Sequence, residues 1–164
     1  MTGTDVTDVP DEDVFAAFAA ALIDRDNIEH YRGLLQRRLL INRCSDCGHW
    51  VYPHRPLCPK CWSWDVVPTQ VSGEGSVFLS TLIHQERDPN AAPGEPVPVA
   101  AVELVEQPGL RYLAPIVNCP LEAIRLDMPV RLTWVDRDGL AWPAFEPAPI
   151  EPAPFEPAPI EDGR

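Results

Sequence analysis

Four of the five cysteines stand in two CxxC pairs, and this spacing constrains the fold more than any other feature of the sequence. The pairs are Cys44 with Cys47, and Cys58 with Cys61. Two residues between cysteines let one tight turn direct both thiolates at one point, and two such turns supply the tetrahedral sulfur shell that Zn²⁺ prefers. Gly48 follows the first pair, where the turn needs a residue that tolerates positive φ. The spacing predicts one structural zinc ion per chain.

Other uses of the four thiols are two disulfides, a redox dithiol or a rubredoxin-like iron site. Disulfides belong to secreted chains, and we expect no secretory signal here. A redox CxxC is a single motif that follows a βαβ pattern. The ligands alone do not separate zinc from iron. Four protein ligands leave no open coordination position, so the predicted metal is structural and not catalytic.

The net charge of −12 is concentrated at the two ends of the chain. Residues 1–13 carry five acids and no base, and residues 143–164 carry five acids and one arginine. The middle is nearly balanced, which argues against a nucleic-acid partner. The apolar run 14–23 is too short to span a membrane and follows acids, so we expect it to be neither a signal peptide nor a membrane span. The reduced cysteines of a metal site favour a cytoplasmic protein. One cationic cluster is either a solvated surface or a site for phosphate or an acidic partner: Arg32, Arg37, Arg38, Arg43, Arg55 and Lys60.

The sequence predicts a mainly β protein with N-terminal helices. We expect residues 1–10 to be disordered and residues 11–38 to form helices. The first helix starts at Asp11 and has an apolar face of Phe15, Phe18 and Leu22, which either packs on the domain or serves a partner. Asn27 is expected to cap a second helix that ends near Gln36. The apolar side of that helix comprises Ile28, Tyr31, Leu34 and Leu35.

The rest of the chain predicts a rubredoxin-like zinc ribbon at 39–65 and a five-stranded OB-fold barrel at 66–146. Short strands are expected at 66–72, 76–85, 97–105, 110–117, 130–135 and 140–145, with Val77, Leu79, Thr81 and Ile83 on one face of the second. A short helix at 120–126 and a hairpin turn at Asp138-Gly139 fit the same barrel. In the ribbon, we expect His49 and His54 at the surface and Trp62 and Trp64 over the metal site.

Three repeats of five residues, FEPAP, IEPAP and FEPAP, start at Phe145 and are followed by Ile160-Glu161. Their prolines forbid helix and favour polyproline II. We therefore expect a disordered Pro-rich tail at 147–164, either solvated or docked along a partner.

Several motifs together resemble one family. CxxCG, CPxC, the sequence Ser72-Gly73-Glu74-Gly75 and the sequence Met128-Pro129-Val130 follow one another in order. This order resembles the acyl-CoA-associated zinc-ribbon and OB-fold proteins of the domain of unknown function 35 family, over about Tyr31 to Phe145. Asp127 stands where the family usually has glycine, and Tyr31 stands where tryptophan is common.

The resemblance implies a non-catalytic accessory subunit that binds and stabilises a thiolase-superfamily aldolase or acyltransferase and helps shape its acyl-CoA site. The aldolase reaction would be retro-aldol cleavage of a β-hydroxyacyl-CoA, for example one with a steroid side chain. The catalytic groups would belong to the partner of a hetero-oligomer. The residues expected to touch CoA or the partner are Arg37, Arg38, Arg55, Lys60, Gly73 and Gly75.

Other functions use different residues. Cys119 is the remaining thiol, and without a nearby histidine it is interpreted as structural rather than nucleophilic; His30 and His84 are interpreted as packing or surface residues. A single-stranded nucleic-acid module would use stacking aromatic residues, here Trp50, Tyr52, Phe78 and Tyr112. A third possibility is an independent enzyme or a rubredoxin-like electron carrier.

Overall fold

A computed structural model of the chain describes residues 9–84 and 96–149. The elements are α1 (Asp11–Ala17), α2 (Ile28–Leu35), β1 (Leu40–Cys44), β2 (Trp50–Val51), β3 (Val66–Gln70), β4 (Glu74–Ile83), β5 (Val97–Leu104), β6 (Arg111–Pro115), a 3₁₀ turn (Leu121–Ala123), β7 (Pro129–Arg137) and β8 (Leu140–Pro147). The mainly β fold with N-terminal helices is confirmed. Within the described ranges, no helix has the length and apolarity needed to cross a bilayer.

The ribbon is a three-stranded antiparallel sheet in the order β2-β1-β3. Cys44 lies opposite Val66, and Leu40 lies opposite Gln70. We expected residues 66–72 to open the barrel, but β3 pairs with β1 instead. The two knuckles explain this pairing. Because Cys61 lies beside Cys44, the chain that leaves the second knuckle as β3 runs antiparallel to β1, the strand that leads into the first knuckle.

The barrel is a five-stranded sheet in the order β6-β5-β4-β7-β8, with all neighbouring strands antiparallel. Ile116 forms a parallel bridge with Phe145, which brings β6 beside β8 and nearly closes the sheet. The 3₁₀ turn lies between β6 and β7. This strand order and this turn are those of an OB fold, and the predicted five-stranded barrel is confirmed.

The turn between β7 and β8 follows the sequence prediction. Asp138 and Gly139 have φ values of 53° and 79°. Two successive residues with positive φ make the type I′ turn that matches the twist of a hairpin. Beyond this hairpin, the first unit of the proline repeat is part of the barrel, because Phe145 is fully buried and Glu146 accepts hydrogen bonds from Asn118 and Arg131. We expected disorder at 1–10 and at 147–164, but Pro147 ends β8 and the Ala148 N–H donates to the Pro129 carbonyl at 3.0 Å. Residues 1–8 and 150–164 lie outside the described residues.

The prediction that Val77, Leu79, Thr81 and Ile83 share one face of β4 is wrong for the residues after Val77. Val77 is fully buried, whereas Leu79 is 58% exposed. The pairing register between β4 and β5 shifts between Val77 and Leu79, which marks a β-bulge at Phe78. One extra residue on one strand reverses the faces of all residues that follow.

The first helix is shorter than predicted and buries a different face. α1 ends at Ala17, so Leu22 lies beyond it and is 94% exposed. Phe15 is 48% exposed, while Val14 and Phe18, four residues apart, are buried. These two side chains join one apolar core with α2 and the barrel. Of the predicted stripe, only Phe18 packs on the domain.

The second helix has the predicted position but not the predicted cap. Asn27 precedes α2, yet its side chain makes no capping hydrogen bond to it. The Asn27 side chain instead accepts a hydrogen bond from the Asp24 backbone N–H and donates one to the Leu22 carbonyl. Asn27 therefore closes the turn between the two helices.

Candidate metal centre and its surroundings

The first CxxC knuckle is closed by backbone hydrogen bonds. The Gly48 N–H donates to the Cys44 carbonyl at 2.9 Å, and the Cys44 N–H donates to the His49 carbonyl at 2.9 Å. Gly48 has a φ of 72°, as the sequence required. Because β1 ends at Cys44 and β2 begins at Trp50, the sheet fixes both sides of the turn.

The second knuckle repeats this pattern with a different residue at the turn. The Trp62 N–H donates to the Cys58 carbonyl at 3.0 Å, and the Cys58 N–H donates to the Ser63 carbonyl at 2.9 Å. Trp62 has a φ of 62°, a left-handed conformation that is uncommon for a bulky residue. The two knuckles are thus structural equivalents, with Trp62 at the position of Gly48.

The four sulfurs converge on one point. All lie within 4.8 Å of one another. The Sγ atoms of Cys44 and Cys61 are 3.6 Å apart, as are those of Cys47 and Cys58. Zn–S bonds of about 2.3 Å in a tetrahedron give S–S edges of about 3.8 Å, so the donor set fits a zinc ion. These four cysteines would hold such an ion and leave no open coordination position.

The centre is half enclosed. Cys44 and Cys58 are buried, whereas Cys61 is exposed. Burial raises the pKa of the Cys58 thiol, but hydrogen bonds from the backbone N–H groups of Cys61 and Lys60 and from neighbouring thiols outweigh it and lower that pKa to about 7. A thiolate is the form that binds a metal, so the backbone favours ligation at this cysteine.

The expectation that tryptophans cover the metal site is wrong. Trp62 is 72% exposed and Trp64 is 71% exposed. Trp62 has a left-handed backbone, and both side chains are open to solvent. We call Trp62 and Trp64, which follow the second knuckle in the chain, the tryptophan surface.

Sequence reasoning missed a cluster of aromatic and histidine side chains between α2, the ribbon and the barrel. The ring centroids of His30 and His54 are 4.9 Å apart, and those of Tyr52 and Tyr112 are 5.6 Å apart. His30 Nδ1 lies 3.0 Å from the Leu40 carbonyl oxygen, and its Nε2 lies 3.4 Å from the Tyr112 hydroxyl. His30 was expected to pack, and it does. We call His30, Tyr52, His54 and Tyr112 the junction cluster.

His54 is not the surface residue that we expected. Both of its ring nitrogens are buried and have no hydrogen-bond partner among the described residues. Burial, followed by repulsion from His30, lowers the pKa of His54 to about 4. Burial also lowers the pKa of His30, against the opposing effect of its Leu40 hydrogen bond. Both imidazoles are therefore neutral near pH 7.

The predicted cationic cluster does not act as one surface. Arg32 is 5% exposed and forms ion pairs with Asp11 and Glu29, so it fastens α1 to α2. Arg37 pairs with Asp136 of β7 at 2.8 Å. Arg38 donates to Gln70 of β3 at 2.9 Å. These three arginines connect elements of the fold.

Arg43, Arg55 and Lys60 have exposed positions on the ribbon. The Arg43 guanidinium lies 5.4 Å from the Trp50 ring centroid, a cation–π distance. Arg55 borders a shallow cavity between the ribbon loop and the β5–β6 turn, together with Tyr52, Pro59 and Gln107. Arg37, Arg38, Arg55 and Lys60 remain predicted contacts of CoA or of a partner.

The two glycines that we expected near CoA have structural explanations. A Cβ atom on Gly73, which has a φ of 83°, would lie 2.6 Å from the Leu132 Cβ. A Cβ atom on Gly75 would lie 2.5 Å from the Glu103 carbonyl oxygen. Both positions let β4 approach its neighbours closely. Their contact with a ligand stays a prediction.

The stacking residues of a nucleic-acid module are not presented together. Trp50 and Tyr112 are 8% and 6% exposed and belong to the apolar core. Phe78 is 47% exposed, but the Arg111 guanidinium lies 3.3 Å from its ring centroid. Of the four aromatic side chains, two are therefore unavailable to an incoming base.

Two domain families match the chain in succession. The rubredoxin-like zinc ribbon domain of ChsH2 matches residues 32–67, and the C-terminal OB-fold domain of ChsH2 matches residues 68–135. The junction between the two matches falls within β3. The order of the two families is the order of the two sheets in the structure.

Relatives with similar sequences have names from acyl-CoA metabolism or from the family itself. A probable enoyl-CoA hydratase alpha subunit of Thermomonospora curvata is 37% identical over 127 residues, which are 77% of this chain and 39% of the relative. The chain thus spans less than half the length of that relative. A DUF35 domain-containing scaffold protein of Methanocaldococcus jannaschii is 30% identical over 127 residues, which are 72% of this chain and 84% of the relative.

A solved structure of an Ltp2-ChsH2(DUF35) aldolase contains a chain with the same fold. The TM-score is 0.69 at 34% sequence identity, and the match covers 77% of this chain and 98% of that chain. Because the match covers 77% of this chain, it includes both the ribbon and the barrel.

Proposed function

The chain belongs to the DUF35 family of zinc-ribbon and OB-fold proteins, and from that premise we propose that it is a non-catalytic accessory subunit of an enzyme that acts on acyl-CoA thioesters. The observation that carries the proposal is the closed set of four cysteines. A metal with four protein ligands stabilises the fold and offers no position to a substrate. Zn²⁺ is the proposed occupant, with one ion per chain.

The other reactive groups support the same conclusion. Cys119 Sγ lies 3.6 Å from the Pro120 carbonyl oxygen, an acceptor that cannot activate a thiol. His30 and His54 are enclosed in the junction cluster. A nucleophile and a general base must lie within hydrogen-bonding reach of each other. Cys119 lies in a different part of the fold from the two histidines. The catalytic groups are therefore assigned to a partner.

The proposed partner is a thiolase-like aldolase, and the proposed reaction is retro-aldol cleavage of a β-hydroxyacyl-CoA. The similar chain in the Ltp2-ChsH2(DUF35) aldolase supports this choice. A steroid side chain is the candidate acyl group, and a thiolase-like acyltransferase is the other member of the same partner class. The tryptophan surface is the proposed docking surface, since exposed tryptophans are common in interface hot spots. The four thiols favour a reducing compartment, so we propose a cytoplasmic complex.

A second candidate is a subunit of an acyl-CoA hydratase. The relative from Thermomonospora curvata carries that name, and this chain matches 39% of it. The two candidates differ in the bond that changes. An aldolase breaks a C–C bond and releases a carbonyl compound and a shorter acyl-CoA, whereas a hydratase adds water across a C=C bond.

The test is co-expression of the full chain with a thiolase-like protein, followed by measurement of complex mass and of C–C cleavage. We expect a stable complex, with cleavage that requires both chains. Trp64→Ala should weaken the complex, whereas Phe15→Ala, which removes an exposed aromatic ring from α1, should not. Metal analysis should find zinc in a colourless protein. A chain that binds no thiolase-like protein, or that shows hydration and no cleavage, contradicts the aldolase assignment.

A further inference from the structure

The four cysteines of the metal centre differ in how far solvent reaches them. Cys44 and Cys58 are 1% and 0% exposed, and Cys47 is partly buried. Cys61 is the exposed member of the set, and Trp62, which follows it in the chain, is itself open to solvent. A small oxidant or an alkylating reagent therefore meets Cys61 before it meets the other three sulfurs.

Accessibility decides which sulfur reacts, because metal ligation keeps all four in the reactive form. A thiol that coordinates zinc is deprotonated, and the thiolate is the nucleophile of cysteine chemistry. Buried structural cysteines are inert, whereas oxidation follows thiolate character combined with exposure. When the four converging sulfurs hold one ion, all are thiolates, and exposure separates Cys61 from the other three.

A second thiolate lies where it can complete the oxidation. Cys44 Sγ is 3.6 Å from Cys61 Sγ. The two residues belong to different knuckles, so a bond between their sulfurs would join one knuckle to the other. Redox-sensor cysteines often stand next to a resolving cysteine of this kind. Cys44 is thus placed to act as the resolving cysteine for Cys61.

We propose that the ribbon is a peroxide-sensitive switch, in which Cys61 is oxidised first and Cys44 then closes a disulfide with it. In the first step the Cys61 sulfur bonds to one peroxide oxygen, the O–O bond breaks and hydroxide leaves, which gives a sulfenic acid. In the second step the Cys44 thiolate attacks that sulfur, the S–O bond breaks and a second hydroxide leaves. Two electrons pass from the two sulfurs to the peroxide.

The disulfide dismantles the metal centre. Because the thiolate is the form of cysteine that binds a metal, only Cys47 and Cys58 are left as ligands. Structural zinc sites have four protein ligands, so the oxidised ribbon should not retain the ion. A dithiol that returns two electrons to the bridge restores all four thiolates. The switch goes beyond the proposed function, because it needs neither an acyl-CoA nor an enzyme partner.

The test uses the zinc-loaded full chain with Cys119→Ser, which removes the thiol outside the centre. A chromogenic chelator measures the zinc that hydrogen peroxide releases, and peptide mapping locates the bridge. Trypsin cleavage after Arg43 and after Lys60 separates Cys61 from the peptide that carries Cys44. We expect one zinc ion to be released for every two thiols lost, together with a cross-link between these two peptides. Dithiothreitol should restore zinc binding.

A histidine substitution removes the exposed sulfur without removing a ligand. Cys61→His keeps a donor atom, since an imidazole nitrogen binds zinc, and it should lose most of the peroxide-dependent zinc release. Cys47→His is the matched control, because it makes the same replacement in the other knuckle and leaves Cys61 in place. It should release zinc as the parent chain does. Equal zinc release from the two variants overturns the proposal.

A second measurement needs no change in the centre, so it holds even if a variant fails to bind zinc. Limiting iodoacetamide on the zinc-loaded parent chain should label Cys61 before the other three ligands. The proposal is overturned if another ligand is labelled as early, if zinc stays bound in excess peroxide, or if the bridge forms within one knuckle. Because the experiment contains no enzyme, its failure leaves the accessory-subunit proposal to its own test.

Discussion

The ribbon and the barrel are both antiparallel β-sheets, but they are stabilised in different ways. In the barrel, Val77, Val102, Val130 and Phe145 are at most 1% exposed and form a continuous apolar core. In the ribbon, Ile41 and Trp50 contribute to that same core, but β3 has no buried residue, and the knuckles converge on sulfur atoms. A small sheet without a large apolar core needs a metal or disulfides. The two regions should therefore unfold under different conditions.

Removal of the metal should have the largest effect, and it should be confined to the ribbon. Structural zinc in small domains contributes about 10–16 kcal/mol of apparent binding free energy, which is as large as the stability of a whole domain. We expect Cys58→Ser to abolish stoichiometric zinc binding and to unfold the ribbon. Metal analysis and hydrogen exchange of β1 and β3 amides measure both effects.

The control for this change is Cys119→Ser, which alters a thiol outside the metal centre. It should keep one zinc ion and normal amide protection in the ribbon. Retention of zinc by Cys58→Ser would show that the fourth ligand is dispensable and would weaken the contrast with the barrel.

The barrel should respond most to loss of the largest fully buried side chain among its described residues. Phe145 is fully buried at the closing seam, where its carbonyl accepts the Val117 N–H. Phe145→Ala should lower the free energy of unfolding by about 3–5 kcal/mol, because it creates a cavity in a packed core. Denaturant unfolding measures the change. Phe15→Ala, at a 48% exposed position, is the control and should have little effect. Equal effects of the two changes would contradict the assigned core.

The junction cluster couples the two regions and should make their stability depend on pH. His54 has a pKa of about 4 in the folded chain, below its ordinary value of 6.5. Between these values the unfolded chain binds more protons, so acidification favours unfolding. The free energy of unfolding should rise by at most about 3 kcal/mol from pH 4 to pH 6.5 and then level off. Asp24 and His30 are the titratable groups that also influence the pKa of His54.

His54→Phe keeps an aromatic ring against Tyr52 and His30 but removes the titrating group. Most of the stability change between pH 4 and pH 6.5 should then disappear in urea unfolding curves. His84→Phe, at an exposed position near the end of β4, should retain it. An unchanged pH profile in His54→Phe would assign the dependence to other groups.

The parts of the fold that local chemistry determines were predictable from sequence. The CxxC spacing located the metal centre, and Asp138-Gly139 located the last hairpin. Both depend on residues within a few positions of one another. The bulge at Phe78 was not predictable, because one extra residue leaves no mark in an apolar run and is set by pairing with β5.

Tertiary contacts also explain the errors in the candidate site. His54 lies in a proline-rich loop that looks exposed in sequence, yet α2 and the barrel enclose it through His30 and Tyr112. Arg32 appeared to belong to a cationic surface but fastens α1 through Asp11. In each case a partner more than 20 residues away determines the environment, and no local pattern reports it.

The smallest expected effect is a difference in backbone strain between the two knuckles of the ribbon. Gly48 and Trp62 occupy equivalent positions with φ values of 72° and 62°. A left-handed conformation costs a residue with a Cβ atom about 1–2 kcal/mol, and glycine pays no such penalty. Trp62→Gly should therefore raise the stability of the ribbon by about 1 kcal/mol, whereas Gly48→Ala should lower it by a similar amount. Metal-competition titration with a chelator measures both changes.

The same variant separates folding from binding. The Trp62 side chain is 72% exposed, so its removal takes little from the core. If the tryptophan surface docks a thiolase-like partner, Trp62→Gly should hold zinc more tightly and bind that partner more weakly. A bulky residue in a left-handed conformation motivates the hypothesis that its side chain has a function. Loss of zinc affinity in Trp62→Gly would instead show that the ring supports the knuckle and would place its role in folding.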